Sequence, residues 1–188
     1  MANSASKVNL TKVVTGKVRF SYAHVFEPVK DDDGNEKYSV SLIIDKDDKK
    51  TISAINKAIE AAKESGITKF GGKIPSKLKL PLRDGDEERE DDEVYKDKYF
   101  VNANCKTKPG LVDKKGRTII DSTEFYSGCY GLASISFYAF NTKGNKGIAC
   151  GLNNIMKLED GEPLGGRSRA EDDFAEFIEA DDDDDFLE

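Results

Sequence analysis

From Lys12 onward the chain alternates apolar and polar positions. Val14, Val18, Phe20 and Tyr22 fall on one side and Thr15, Lys17, Arg19 and Ser21 on the other, the period-two pattern of a strand with one buried face. It predicts a long strand with an apolar core face and a basic outer face. Gly16 interrupts the apolar side and marks a bulge or sharp bend, which strands of small barrels often need. Residues 31–35, DDDGN, form a turn by composition. Tyr38, Val40, Leu42 and Ile44 then share one side of a partner strand, which completes a hairpin.

The period next lengthens. Ile52, Ile55, Ile59 and Ala62 make one apolar stripe at helical spacing, with Asp47 or Asp48 as N-cap and Gly66 as the C-terminal stop. Residues 68–97 read as a loop punctuated by Gly71, Gly72, Pro75 and Pro81. It is longer than a plain connection needs, which points to a function or to partial disorder. Within it Lys69, Lys73, Lys77, Lys79 and Arg83 precede an acidic run and are placed to line a groove.

Alternation resumes over residues 98–106, with Tyr99, Val101, Ala103 and Cys105 on one face and Phe100, Asn102, Asn104 and Lys106 on the other. After the turn at Lys108, Pro109 and Gly110, residues 117–121 are expected to pair at an edge. Over residues 129–140, Ala133, Ile135, Phe137 and Ala139 look inward while Tyr130, Ser134, Ser136 and Tyr138 look outward. A Gly- and Lys-rich turn leads to a last strand over 148–158. About five strands and one helix, joined by turns and loops rather than crossover helices, predict a mainly β fold, an antiparallel barrel or sandwich.

Charge divides the chain. The formal net charge is −7, yet the last eighteen residues hold eleven carboxylates and no Lys or Arg. The remaining twenty-five carboxylates face all twenty-nine cations, so residues 1–170 carry +4. A second acidic run, residues 84–93, has eight carboxylates and Arg89; without it the body is about +11. A basic body with an acidic end suits a polyanion binder that carries its own competitor, although a purely solubilising terminus has the same composition. The end is not uniformly polar. Phe174, Phe177 and Ile178 lie at i, i+3 and i+4, and Phe186 and Leu187 follow Asp181, Asp182, Asp183, Asp184 and Asp185. An aromatic beside an acidic run is the pattern of a docking peptide that orders on binding. The expected division is a flexible N-terminus (1–11), one domain (12–166) and an acidic C-terminal tail (167–188).

Several classes of chemistry lack their parts. No run approaches the roughly 18 to 20 apolar residues that span a bilayer, and the N-terminus has no apolar signal core, so a cytosolic protein is expected. Cys105, Cys129 and Cys150 are far apart, without CxxC, and read as small buried residues rather than zinc ligands. His24 is the only histidine, and neither GxSxG nor a phosphate-binding glycine loop is present. Neither enzyme activity, metal nor cofactor is expected. Binding of unpaired nucleic acid needs cations for phosphates and flat rings for bases. Phe100, Tyr130 and Tyr138 supply rings on outward positions, and Lys17, Arg19, Lys106 and Lys108, joined by Arg83 and Arg117, supply charge. No helix rich in Arg, Asn and Gln is available for a major groove.

Four segments in order, PLRDGDEE (81–88), KPGLVD (108–113), YSGCYGLASISFYAFN (126–141) and GIACGLNNIMKLEDGEPLGG (147–166), resemble the bacteriophage single-stranded DNA-binding protein family, over roughly residues 12–178. The resemblance implies an OB-fold, a five-stranded partly open barrel, that coats single-stranded DNA in phage replication and recombination without sequence preference. It implies work in the host bacterial cytoplasm; monomer and dimer both stay open. The terminal DDDDDFLE is similar in kind to the acidic tips that recruit phage or host replication proteins and compete with DNA. It departs from the bacterial tip in that Leu187 and Glu188 follow Phe186. The helix also departs from the usual OB order by following the second strand. The competing reading is a phage structural or assembly protein whose barrel binds protein.

Overall fold

Eight strands and one long helix make up the computed structural model, which describes residues 9–164 and 174–177. In chain order they are β1 (Lys12–Val14), β2 (Val18–Lys30), β3 (Glu36–Asp45), α1 (Lys49–Ser65), β4 (Leu82–Asp84), the single-turn α2 (Gly85–Glu88), β5 (Lys98–Cys105), β6 (Gly110–Val112), β7 (Tyr130–Thr142) and β8 (Asn145–Glu159). Pairing runs around a ring, β2 to β3 to β5 to β8 to β7 and back to β2. This is the five-stranded order of an OB barrel. The seam between β5 and β8 is thin, a single parallel pair at Asn104 and Gly151. Just along β5, β4 pairs with residues 99–101 and occupies the edge that β8 leaves open. β1 and β6 lie outside the ring on β7 and β8.

The inward face packs Phe20, Leu42, Ile44, Val101, Ile135 and Ile155, all essentially inaccessible. α1 closes the core with Ile55, Ala58, Ile59 and Ala62, while Ile52 is only half-buried. Its N-cap is Asp48, whose carboxylate accepts from the Thr51 N–H at 3.2 Å. Gly66 ends it, for a reason the sequence does not reveal: its φ is −97°, and a side chain there would overlap the Ala139 methyl of β7. Close approach, rather than a left-handed backbone, requires glycine.

The first long strand is two strands, and its facing slips twice. Val13 and Thr15 point inward before Gly16, Val18 and Phe20 after it, so Val14 is exposed rather than in the core. Gly16 lies against the helix start: its N–H donates to Thr51 Oγ1 at 2.9 Å, and a Cβ would sit 2.9 Å from that oxygen. The second slip is an irregularity between Ser21 and His24, with Tyr22 at φ 47°. A left-handed tyrosine costs about 1–2 kcal/mol, and its effect is to turn Tyr22 out to solvent. The expectation that Val14 and Tyr22 line the core is corrected on both counts.

Residues 68–97 are built rather than loose. Besides β4 and α2 they contain 3-10 turns at Ile67–Phe70 and Glu93–Tyr95. The acidic run is partly structural, because Lys46 Nζ bridges Asp84 (2.8 Å) and Asp86 (2.7 Å), pinning α2 to the end of β3. Asp84 also caps α2 through the Asp86 N–H. Residues 117–121 pair with β6 only through a Val112 to Thr118 bridge and the Ile119 N–H donating to Leu111 O. Cys129 and Cys150 are buried free thiols and Cys105 is half-buried. No described helix is long and apolar enough to cross a membrane.

Candidate nucleic-acid interface

β2 and β7 close the barrel through two pairs, one of which sets Arg19 directly opposite Tyr130. The Arg19 guanidinium donates from Nε to Gly128 O (3.0 Å) and from Nη2 to Glu162 O (2.7 Å). Those bonds hold it 5.3 Å from the Tyr130 ring centroid. Lys17 Nζ lies at the same distance from that ring and pairs with Glu159 at 2.9 Å. One ring is therefore framed by two cations, an arrangement that steadies the ring and leaves positive charge beside it.

Lys17, Arg19 and Tyr130 border a cleft of about 390 Å³ whose far wall is Ile43, Glu93, Val94 and Lys98. Lys98 pairs with Asp45 at its rim. Across Val94 a second cleft, about 480 Å³, is bordered by Ser21, Tyr22, His24, Asp92, Tyr95 and Leu164 among others. The two share Val94 and are therefore adjacent, a pair of clefts that together make up a trough, divided at that side chain, along the outside of β2. Tyr22 is 53% exposed at its edge. Two residues beyond His24, Phe26 carries Lys108 Nζ 5.6 Å from its centroid.

The floor and outer wall of the trough are a second, small apolar cluster outside the barrel. Ile43 and Phe100 are cross-strand partners on the outer face of β3 and β5, and Tyr95 seals them, its ring edge-on to Phe100 at 5.2 Å. Val94 and Leu164 complete the cluster. Phe100 thus faces outward from the barrel, as the alternation requires, but is only 1% exposed. Its expected availability to a base is corrected: Val94 and Tyr95, from the turn just before β5, and Leu164, from far along the chain, cover it. The Tyr95 hydroxyl is buried with no hydrogen-bond partner among the described residues. Arg89, the one cation of the acidic run, has its guanidinium 5.4 Å from the centroids of Tyr22, Tyr95 and Phe100 alike.

The other candidates scatter. Tyr138 is 46% exposed but lines a separate depression with Leu10 and Lys69, where the end of α1 meets β7. Partial burial pushes its phenol up. Arg83 sits on β4 in a cleft with Lys79 and Glu87 and lies 3.7 Å from Glu88. Arg117 pairs with Asp113 across its own turn at 3.0 Å. Lys106 and Lys108 are exposed after β5, and Lys73 and Lys77 are exposed on the segment before β4. Phe174 and Phe177 are exposed in one turn, the Phe177 N–H donating to Phe174 O. Asp181, Asp182, Asp183, Asp184, Asp185 and Phe186 lie outside the described residues. Tyr22, Phe26, Arg89 and Lys98 join the surface without having been marked by the sequence. A lone arginine inside an acidic run was the available signal for Arg89; for Tyr22 the alternation pointed the wrong way.

A family model described as "Enterobacter phage Enc34, ssDNA-binding protein" matches residues 11–187. Among solved structures, the single-stranded DNA-binding protein from bacteriophage Enc34 in complex with ssDNA is similar at TM-score 0.74 and 26% identity, over 82% of this chain and 90% of that one. Gp2.5, a single-stranded DNA-binding protein encoded by bacteriophage T7, shares the fold at TM-score 0.60 and 19% identity, over 90% and 96%. A protein named p50 from Acyrthosiphon pisum secondary endosymbiont phage 1 is 27% identical over 166 residues, 82% of this chain and 87% of its own.

Proposed function

Because the chain belongs to the phage single-stranded DNA-binding protein family of the Enc34 type, we propose that it binds unpaired DNA along the β2 trough, without sequence preference and without chemical turnover. The observation that carries this reading is the Tyr130 ring with Lys17 and Arg19 each 5.3 Å from its centroid at an open cleft. A base stacks on the ring because every base has a π-face, and Lys17, Arg19 and Lys98 draw the phosphates beside it. Neither interaction reads base edges, which is why the binding tolerates any sequence. Lys108 on Phe26 extends the same pairing of ring and cation past His24. Lys106, Tyr138, Arg83 and Arg117 belong to outlying surface that a longer strand reaches. The setting is phage replication and recombination in the host cytoplasm.

The acidic tail, on this reading, competes with DNA and presents Phe174, Phe177, Asp181–Asp185 and Phe186 to replication proteins. Its root supports the first role: Leu164 borders the trough, and its N–H donates to Ser127 O at 2.9 Å. Twenty-four residues follow Leu164 in sequence. Fully extended they span at most about 80 Å, ample to return to the cations.

Fluorescence anisotropy of a labelled oligothymidine tests the reading. Tyr130→Ala should weaken binding at every salt concentration, whereas Lys17→Ala should mainly flatten the salt dependence, by about 0.7 in the log-log slope for one phosphate contact. Wild-type affinity in both variants would place the DNA elsewhere.

A further inference from the structure

We propose that Tyr22 is a second base-stacking ring, so that the cleft between Tyr22, Val94 and Leu164 takes the nucleobase next to the one on Tyr130; this rests on the DNA reading above. The alternation assigns Tyr22 to the core, and the fold goes out of its way to prevent that. A backbone irregularity in β2 and a left-handed φ of 47° turn the side chain outward, where a large ring is 53% exposed. Strain of this kind persists only where surrounding structure enforces it, and it clusters at functional positions.

What surrounds the ring fits a base. Arg89 has its guanidinium 5.4 Å from the Tyr22 centroid and its Nη1 3.4 Å from the phenol oxygen, which fixes the ring's orientation. Arg89 is itself seated against Tyr95 and Phe100, so it is a rigid backing rather than a free cation. The cleft beside the ring, about 480 Å³, has Val94 and Leu164 as apolar sides, Asp92 in its wall and Ser21 and Ser127 within it. A carboxylate in the wall repels a phosphate but tolerates an uncharged flat base, so the base enters and the backbone stays outside. Continuity completes the case. The Tyr130 cleft and this one share Val94, and Tyr22 lies three residues along β2 from Arg19, the partner of Tyr130. A strand stacked on Tyr130 and running along β2 therefore meets Tyr22 next.

The test is oligothymidine anisotropy on Tyr22→Gly, Tyr22→Asn and Tyr22→Phe, with Tyr130→Ala as reference and melting temperature recorded for each. Glycine and asparagine both accept the left-handed backbone, so the fold should survive while the ring is lost. Both are expected to weaken binding by about 5- to 150-fold, the range of one lost stack. Tyr22→Phe, which keeps the ring, should bind nearly as wild type. Wild-type affinity in folded Tyr22→Gly and Tyr22→Asn, with Tyr130→Ala weakened, would overturn the second site and leave the DNA reading standing. No binding by the wild-type protein, or no effect of Tyr130→Ala, would overturn both.

Discussion

Arg19 and Tyr130 face one another across the pair that closes the barrel, with the guanidinium carbon 5.3 Å from the ring centroid and two of its nitrogens bound to backbone carbonyls. The residue that ties the C-terminal segment to the barrel thus also holds charge beside the ring. Arg19→Lys keeps the charge but not the fork that reaches Gly128 and Glu162 together. It should lower stability by about 1–2 kcal/mol, visible as a reduced melting temperature, and weaken oligothymidine binding as well. An unchanged melting temperature would show that the two carbonyl contacts contribute nothing.

Tyr95 carries a hydroxyl that is buried without a partner among the described residues, on a ring that otherwise packs well against Phe100. An unsatisfied buried hydroxyl costs on the order of 1 kcal/mol or more. Tyr95→Phe is therefore expected to stabilise the protein by about 1 kcal/mol in chemical denaturation. A fall in stability would mean that the hydroxyl is satisfied.

Gly66 approaches Ala139 too closely for a side chain. Gly66→Ala, ordinarily a helix-favouring change, should here destabilise by about 1–3 kcal/mol, because α1 must move off β7. Adding Ala139→Gly should restore much of the loss, which a double-mutant cycle in denaturant reads directly.

The Lys46 clamp gives the base of the acidic run a pH dependence. The hydrogen bond from Lys46, then that from the Asp97 N–H, holds the Asp86 carboxyl below the ordinary carboxylate range. A depressed carboxyl stabilises the folded state above its ordinary range, and that contribution is lost as pH falls through the depressed value. On the other side, the hydrogen bonds that Lys46 donates to Asp84 and Asp86 raise its own ammonium, whose contribution persists until strongly alkaline pH. Amide exchange over residues 85–89, corrected for its intrinsic pH dependence, should stay slow from neutral to mildly acidic conditions and quicken in strong acid. Lys46→Met should remove that acid step; a step that survives would assign it to another group.

Alternation carried most of the fold, because barrel strands bury one face and β3, β5 and β7 keep their facing over their length. It failed where the backbone, not the side chains, changes facing: a left-handed Tyr22 leaves no trace in the pattern of apolar residues. Phe100 shows a different limit. Its side of β5 was legible, but its exposure depends on Val94 and Tyr95, folded back over it by the turn before β5, and on Leu164 from far along the chain, none of which the alternation encodes. The acidic run looked uniformly solvated, yet Asp84 and Asp86 are taken up by a lysine some forty residues earlier in the chain. Among the candidate site residues, Arg19 and Tyr130 converge because they sit opposite one another on neighbouring strands at one seam, and Lys17 joins them from the bend just before β2. Arg83, Arg117 and Tyr138, equally polar or aromatic in sequence, lie in other surroundings.

Leu164 brings the chain to the lip of the trough just before its most anionic stretch begins. If the tail competes with DNA as proposed, then, leashed at that spot, it meets the cations at a local concentration on the order of millimolar, fixed by the length of the leash rather than by how much protein is in the tube. Diluting the protein a thousandfold should leave the tail's grip on the trough untouched, while the same tail supplied as a free peptide would be lost to the bulk.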